Sequence, residues 1–213
     1  MARATTKKTS SPYGVHPGVR MMQKWVLELK ERTGRSLEEW VDFIREDGPE
    51  GEDERREWLK TSHKLGSNSA WWLAERANGK GGEDDSPEAY LEAAARYVEE
   101  QYSGAKARLR LVFEALLKVG VSLGADAQAC PCRTMVPLYR HHVFAQIKPA
   151  TNARIDLGLS LAAYRGKLPK RLVDTGGMRK KDRITHRIPI SSVEEIDAEV
   201  KKWLKTAYTL DQS

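Results

Sequence analysis

Apolar residues in the first part of the chain recur at helical spacing. Val19, Met22, Val26 and Leu29, widened by Trp25, form one stripe, and Gly34 stands where a left-handed C-terminal cap falls, so a first helix ends near Thr33. Ser36-Leu37-Glu38-Glu39 has the form of a capping box: the serine accepts from the backbone N–H of Glu39 while that glutamate reaches back. Leu37, Trp40, Val41 and Ile44 make the next buried stripe. Gly48-Pro49-Glu50-Gly51 then breaks the chain. A third helix is expected over residues 52–64, facing a core only through Trp58, Leu59 and Leu65, and after the turn at Leu65-Gly66-Ser67 a fourth stripe of Ala70, Leu73, Ala74 and Ala77 stops at Asn78-Gly79. The pattern predicts an all-helical domain over residues 19–78.

Residues 79–87 combine glycines and acidic residues with no apolar residue, which is linker composition, and Ser86-Pro87-Glu88 opens a new helix. That helix runs to about Tyr102, is interrupted at Ser103-Gly104, and a second continues to about Val119, where Gly120 and Gly124 end it. The period then changes to alternation. Val143, Ala145 and Ile147 share one face of a strand whose other face carries Phe144, Gln146 and Lys148, and Ile155, Leu157 and Leu159 lie opposite Arg154, Asp156 and Gly158. Residues 149–152 read as the turn between these strands. Residues 134–139 form an earlier strand that Pro137 pushes toward an edge, and Ile184, His186, Ile188 and Ile190 alternate as a fourth. Ser191 or Ser192 caps a last helix with Val193, Ile196, Val200, Trp203, Leu204 and Ala207 as its stripe. The fold class is therefore α+β: an all-helical N-terminal domain, then an antiparallel sheet of about four strands over residues 88–213, covered on one face by helices.

Charge changes this picture by dividing it. Residues 103–213 hold 20 Lys and Arg against 10 Asp and Glu, net +10, whereas residues 1–102 hold 16 against 20, net −4. The excess concentrates further in one stretch, where Arg165, Lys167, Lys170, Arg171, Arg179, Lys180, Lys181, Arg183 and Arg187 face only Asp174 and Asp182. Such a segment repels itself unless a polyanion or bulk water lies beside it. Residues 1–18 carry charge with no apolar stretch behind it, so they read as a disordered basic arm and not a secretory signal. No apolar run approaches the roughly 20 residues that span a bilayer, so no membrane partner is expected. Two cysteines, Cys130 and Cys132, make no disulfide framework, and the cytoplasm is the expected compartment.

Two sets of segments carry a resemblance. KERTGRSLEEWVDFI followed by EWLKTSHKLGSNSAWWLAERANG resembles a short bacterial helical domain of unknown function with a Thr-Gly-x-Ser/Thr-x-Glu-Glu-Trp signature. CRTMVPLYRHHVFAQIKP, ARIDLGLSL and DRITHRIPISSVEEIDAEVKKWLKTAY resemble a second domain of unknown function, one found alone, joined to the first, or appended to predicted nucleases of the restriction type. The two resemblances cover about residues 16–210. They imply no catalytic or ligand residue; the association with nuclease-like proteins raises the expectation of a nucleic-acid role by analogy.

The first candidate site is the open face of the sheet. Lys148, Arg154, Arg183 and Arg187 are expected beside Phe144 and Gln146, with the basic loop 165–187 hanging over them, an arrangement that neutralises phosphates and stacks a base. The same residues also fit an ordinary solvated face whose cations blunt an edge. Nucleic acid or another polyanion is the first partner read from this pattern; a protein bound by the acidic helical domain or an exposed tryptophan is the second. A phosphorylated small ligand held by His186, Asp156, Arg133 and Arg187 is the third. No nucleophile and base pair is visible and no GxxxxGK[ST], GxGxxG or GxSxG is present, so a binding role is preferred to a catalytic one and no cofactor is called for.

Three further features are read structurally. HKLGSNSAWWLA, residues 63–74, resembles half of a helix-hairpin-helix, with Lys64 where a glycine normally stands, and a tight interhelical turn explains it equally well; His63 is then a surface or capping residue. Cys130, Cys132, His141 and His142 lack a usual zinc spacing. Trp71 and Trp72, being adjacent, cannot both face one core.

Overall fold

The computed structural model describes residues 11–212, so the basic arm expected at residues 1–18 lies, over its first ten residues, outside the described part. Contacts divide the chain into two units: Val15–Glu92, and the described residues from 93 onward together with residues 11–14.

In the first unit α1 (Pro17–Thr33), α2 (Leu37–Asp47), α3 (Glu52–Thr61) and α4 (Ser67–Ala77) follow the apolar stripes. The His16 ring Nδ1 accepts from Gly18 N at the start of α1, and Gly34 closes it at φ 83°. The capping box of α2 is formed in both directions, with Ser36 Oγ accepting from Glu39 N at 3.2 Å and Glu39 Oε2 accepting from Ser36 N at 2.6 Å. Leu29, Trp40, Ile44, Leu59, Ala70, Leu73 and Ala74 make the core. Lys64 takes a positive φ of 54° between α3 and α4, the left-handed conformation that glycine adopts most readily. After α4 the chain turns through Gly79 and Gly81, both at positive φ, with Arg76 paired to Asp85, and Ser86 caps α5 (Pro87–Gln101).

The second unit is a six-stranded antiparallel sheet with helices, confirming the α+β class and correcting the strand count. A 3-10 turn (Gly104–Leu109) leads into α6 (Arg110–Val121), and the sheet comprises β1 (Gln128–Ala129), β2 (Val136–Tyr139), β3 (Val143–Thr151), β4 (Arg154–Leu159), β5 (Val173–Asp174) and β6 (His186–Ile190), in the order β1-β2-β3-β4-β6-β5. The two strands absent from the alternation, β1 and β5, are two residues long and lie at the edges, too short to show a period. A one-turn α7 (Gly177–Lys180) follows β5, and α8 (Ala198–Leu210) closes the chain. Helices α6 and α8 pack on one face, where Phe113, Leu116, Val200, Trp203 and Leu204 meet Leu138, Ile147, Ile155, Leu157 and Ile188.

Four expectations change for local physical reasons. Gly120 lies inside α6 and does not end it, because a Cβ there would stand 2.5 Å from Leu138 Cδ1; the glycine lets helix and strand approach. Pro137 does not put β2 at an edge: its carbonyl accepts from Cys130 N, so the missing N–H falls on the side of the short β1 and leaves pairing with β3 intact. Pro149–Thr151 belong to β3, with a bulge before the turn at residues 152–153. The cap of α8 is Asp197, whose side chain accepts from Val200 N at 2.9 Å, so Val193 stands outside the helix and 41% exposed.

Candidate polyanion-binding surface

The basic stretch between β4 and β6 is an ordered excursion with its backbone tied at the neck. Thr175 N donates to Thr185 O, Thr175 Oγ1 donates to Ile184 O at 2.7 Å, and Thr185 N returns to Leu159 O. The buried Thr185 hydroxyl accepts from Leu161 N at 3.1 Å. Gly177 lies so close to the returning chain that a Cβ would meet Ile184 O at 2.2 Å. Gly176, at φ 72°, and Lys181, at φ 55°, bracket α7 and reverse the chain around it.

Both acidic residues of this excursion point into its own backbone. Asp174 Oδ1 accepts from Gly176 N at 2.7 Å and Asp182 Oδ1 from Ile184 N at 3.0 Å. Outside stand Arg179, Lys180, Lys181 and Arg183, all exposed, with Met178 at 62% exposure beside them. Among the described residues these four side chains, like Lys148, Lys167 and Lys170, have no ion-pair partner. The tip is thus a folded knob whose four cations make no ion pair and outnumber its two carboxylates.

The remaining candidate cations do not join that knob. Arg171 is a fastener: its guanidinium meets Asp197 at 2.5 Å, Glu199 at 3.3 Å and the Glu195 carbonyl at 2.7 Å, holding the loop to the start of α8. Arg187 and Arg154 both pair with Asp156 at 2.9 Å. Arg165 donates to the Ala162 carbonyl at 3.0 Å. Lys148 and Arg154 belong to the hairpin end of the sheet, since Lys148 pairs across to Asp156 and Arg154 to Thr151, whereas the knob follows from Leu159 at the other end of β4. Six strand residues separate the two ends by roughly 17 Å.

Phe144 is the clearest correction to the expected face. Leu138 pairs with Ala145 and Tyr139 with Val143, so Phe144 is the extra residue of a β-bulge and turns inward. It is fully buried, its ring edge-on to Tyr208 at 5.4 Å, and cannot stack a base. What remains on that face is Gln146, Lys148, Asp156, Gly158 and Arg187, and Ile184 covers Gly158 closely enough that a Cβ would approach its Cγ2 at 2.7 Å.

Of the four groups considered for a small ligand, only Asp156 and Arg187 meet. His186 Nδ1 lies 2.9 Å from Thr185 Oγ1, and the Arg133 guanidinium stands by the Tyr97 ring. Among the described residues no three His, Cys, Asp or Glu side chains are placed to hold a metal ion. Burial pushes the Cys130 thiol up to about 12, and the His142 ring meets the buried Asp211 carboxylate at 3.1 Å. Asp126 accepts from the Tyr208 hydroxyl and from Arg140, and these bonds hold its carboxyl down at about 2. His63 is half-buried, its ring packed edge-on to Trp40, Phe43 and Trp58. Trp71 is 42% exposed and lines, with Met21, Trp25 and Trp72, a notch of about 350 Å³.

Sequence reasoning passed over Lys202 and Lys205, which project from the outer face of α8 next to Tyr164. Their spacing in KKWLKTAY, on the side away from Trp203 and Leu204, was the available signal.

No curated protein and no solved structure matches the chain. A family model for a domain of unknown function, DUF4287, matches residues 22–78, the helical segment, and one for a domain of unknown function, DUF5655, matches residues 98–211, the sheet and its helices. The two matches, in that order, fit a two-domain chain, and because the second spans more than half of the 213 residues, the chain belongs to the DUF5655 family.

Proposed function

We propose that the basic C-terminal domain is a non-catalytic binding module for nucleic acid or another polyanion, with the knob of Arg179, Lys180, Lys181 and Arg183 as its centre. The observation that carries this reading is the separation of charge within the excursion: Asp174 and Asp182 each accept from a backbone N–H and pair with no cation, and the four cations, which outnumber them, stand exposed with no ion-pair partner among the described residues. Phosphate contacts of this kind release counterions, so affinity falls steeply with salt. Lys148, Lys167 and Lys170 extend the positive field, while Arg154 and Arg187 are paired with Asp156 and Arg171 with Asp197 and Glu199. Fluorescence anisotropy with labelled DNA across a salt series tests the reading. Charge reversal of Arg179, Lys180 and Lys181 is expected to flatten the log–log salt dependence by about 3 and to leave the unfolding transition in place. Absence of binding at low ionic strength, or binding indifferent to salt, would remove the proposal.

The notch around Trp71 supports the second reading, a protein partner held by the helical domain, because exposed Trp and Met are enriched at interfaces. A stoichiometric protein partner of the full chain that is lost on Trp71→Ala and retained after charge reversal of the knob is the result this reading expects.

A further inference from the structure

The outer face of α8 and the segment from Tyr164 to Pro169 border two adjoining concavities of about 370 and 490 Å³, which share Tyr164 and Lys202. Tyr164 is held between them. Trp203, buried beneath it, stands edge-on at 5.2 Å, and Gly166 passes so near the phenol that a Cβ would lie 2.5 Å from its oxygen. The charged lining is one-sided: Lys167 and Lys202 border the first concavity, Lys202 and Lys205 the second. The one carboxylate in the lining of these two, Glu199, is already engaged by Arg171. Thr206 and Thr209 also line the second concavity, their hydroxyls donating to the carbonyls of Lys202 and Lys205.

We propose that this double groove holds a single-stranded nucleic acid, its bases against Tyr164 and its phosphates on Lys167, Lys202 and Lys205. The inference rests on the polyanion reading and narrows it. Ammonium groups alone serve any polyanion, but an aromatic wall between cations adds affinity for a strand whose bases are unstacked and available, which a duplex does not offer. Each concavity falls within the volume range of sites for small organic groups, which suits one base apiece. The groove takes its loop wall from the first half of the same basic excursion that carries the knob.

The test compares three labelled ligands of equal length on the full chain at low salt: single-stranded oligothymidylate, an abasic deoxyribose-phosphate strand, and a DNA duplex. The oligothymidylate is expected to bind about tenfold or more tighter than the abasic strand, consistent with the contribution of base stacking. Tyr164→Leu should erase that difference, and Lys202→Glu with Lys205→Glu, both at exposed positions, should weaken single-strand binding about tenfold or more while the thermal transition stays put. Should Tyr164→Leu fail to fold, the lysine pair and the abasic comparison still decide. Equal affinity for abasic and thymidine strands overturns the inference, as does full single-strand binding by the lysine variant when charge reversal of the knob weakens all three ligands; in either case the polyanion reading stands. If none of the three ligands binds, that reading falls and this one with it.

Discussion

Phe144 is placed by one extra residue. Without the bulge it would continue the outward row of Gln146 and Lys148; with it, the ring enters the core against Tyr208. Phe144→Ala is therefore expected to cost about 3–5 kcal/mol in chemical denaturation, while polyanion affinity measured on the folded protein is unchanged. His63 makes a second residue-scale prediction. Burial, then the charge of Arg35, lowers its pKa below 6.5, and His16, lowered by burial, behaves alike. In each case the unfolded chain takes the proton first as pH falls. The contribution of these two histidines to stability is thus level above about pH 7 and declines as pH passes down through about 6.5 toward the depressed folded values. Urea midpoints across that window should show the decline, and His63→Gln should make it shallower without abolishing it, since His16 remains.

At the scale of elements, the knob depends on its neck more than on its charges. The one-turn α7 has no length to hold itself, and its shape comes from the Thr175 and Thr185 bonds and from the close passage of Gly177 by Ile184. A side chain at 177 has no space. Gly177→Val should open the excursion, read as faster amide exchange at residues 175–185 with α8 protection retained, and polyanion binding should weaken because four cations would then have to be ordered on binding. Normal exchange in that variant would contradict the packing described. The edge strands β1 and β5 show the same dependence on neighbours, each being two residues that no isolated segment would hold extended.

For the whole molecule, the charge split follows the two family matches in sign: residues 22–78 hold 10 Lys and Arg against 13 Asp and Glu, net −3, and residues 98–211 hold 20 against 12, net +8. We propose that the two segments fold as separable domains divided near residues 79–92, and limited trypsin digestion is the measurement. Cleavage is expected first after Arg165 and Lys167, in the exposed stretch 165–167, and at Lys80 in the turn after α4. The knob carries more sites, yet its bonded neck should delay cutting there. Early cleavage within α6 or α8 would contradict the division.

The helices of the first unit, the two-way cap of α2, the change of period that begins the sheet and the location of excess positive charge are all legible in the order of residues alone. Each of these is a local signal, read within a turn of helix or a few alternating residues. Tertiary structure decided what those residues are for. Asp156 meets Arg187 across 31 residues and Arg171 meets Asp197 across 26, so only folding distinguishes a fastening arginine from an available one. The bulge that buries Phe144 exists because β2 and β3 pair out of step, and Tyr164 joins Lys202 only because the loop crosses α8. Periodicity carries the direction of a side chain along its own element; which charge or ring it then faces is set by partners that lie far away in the chain.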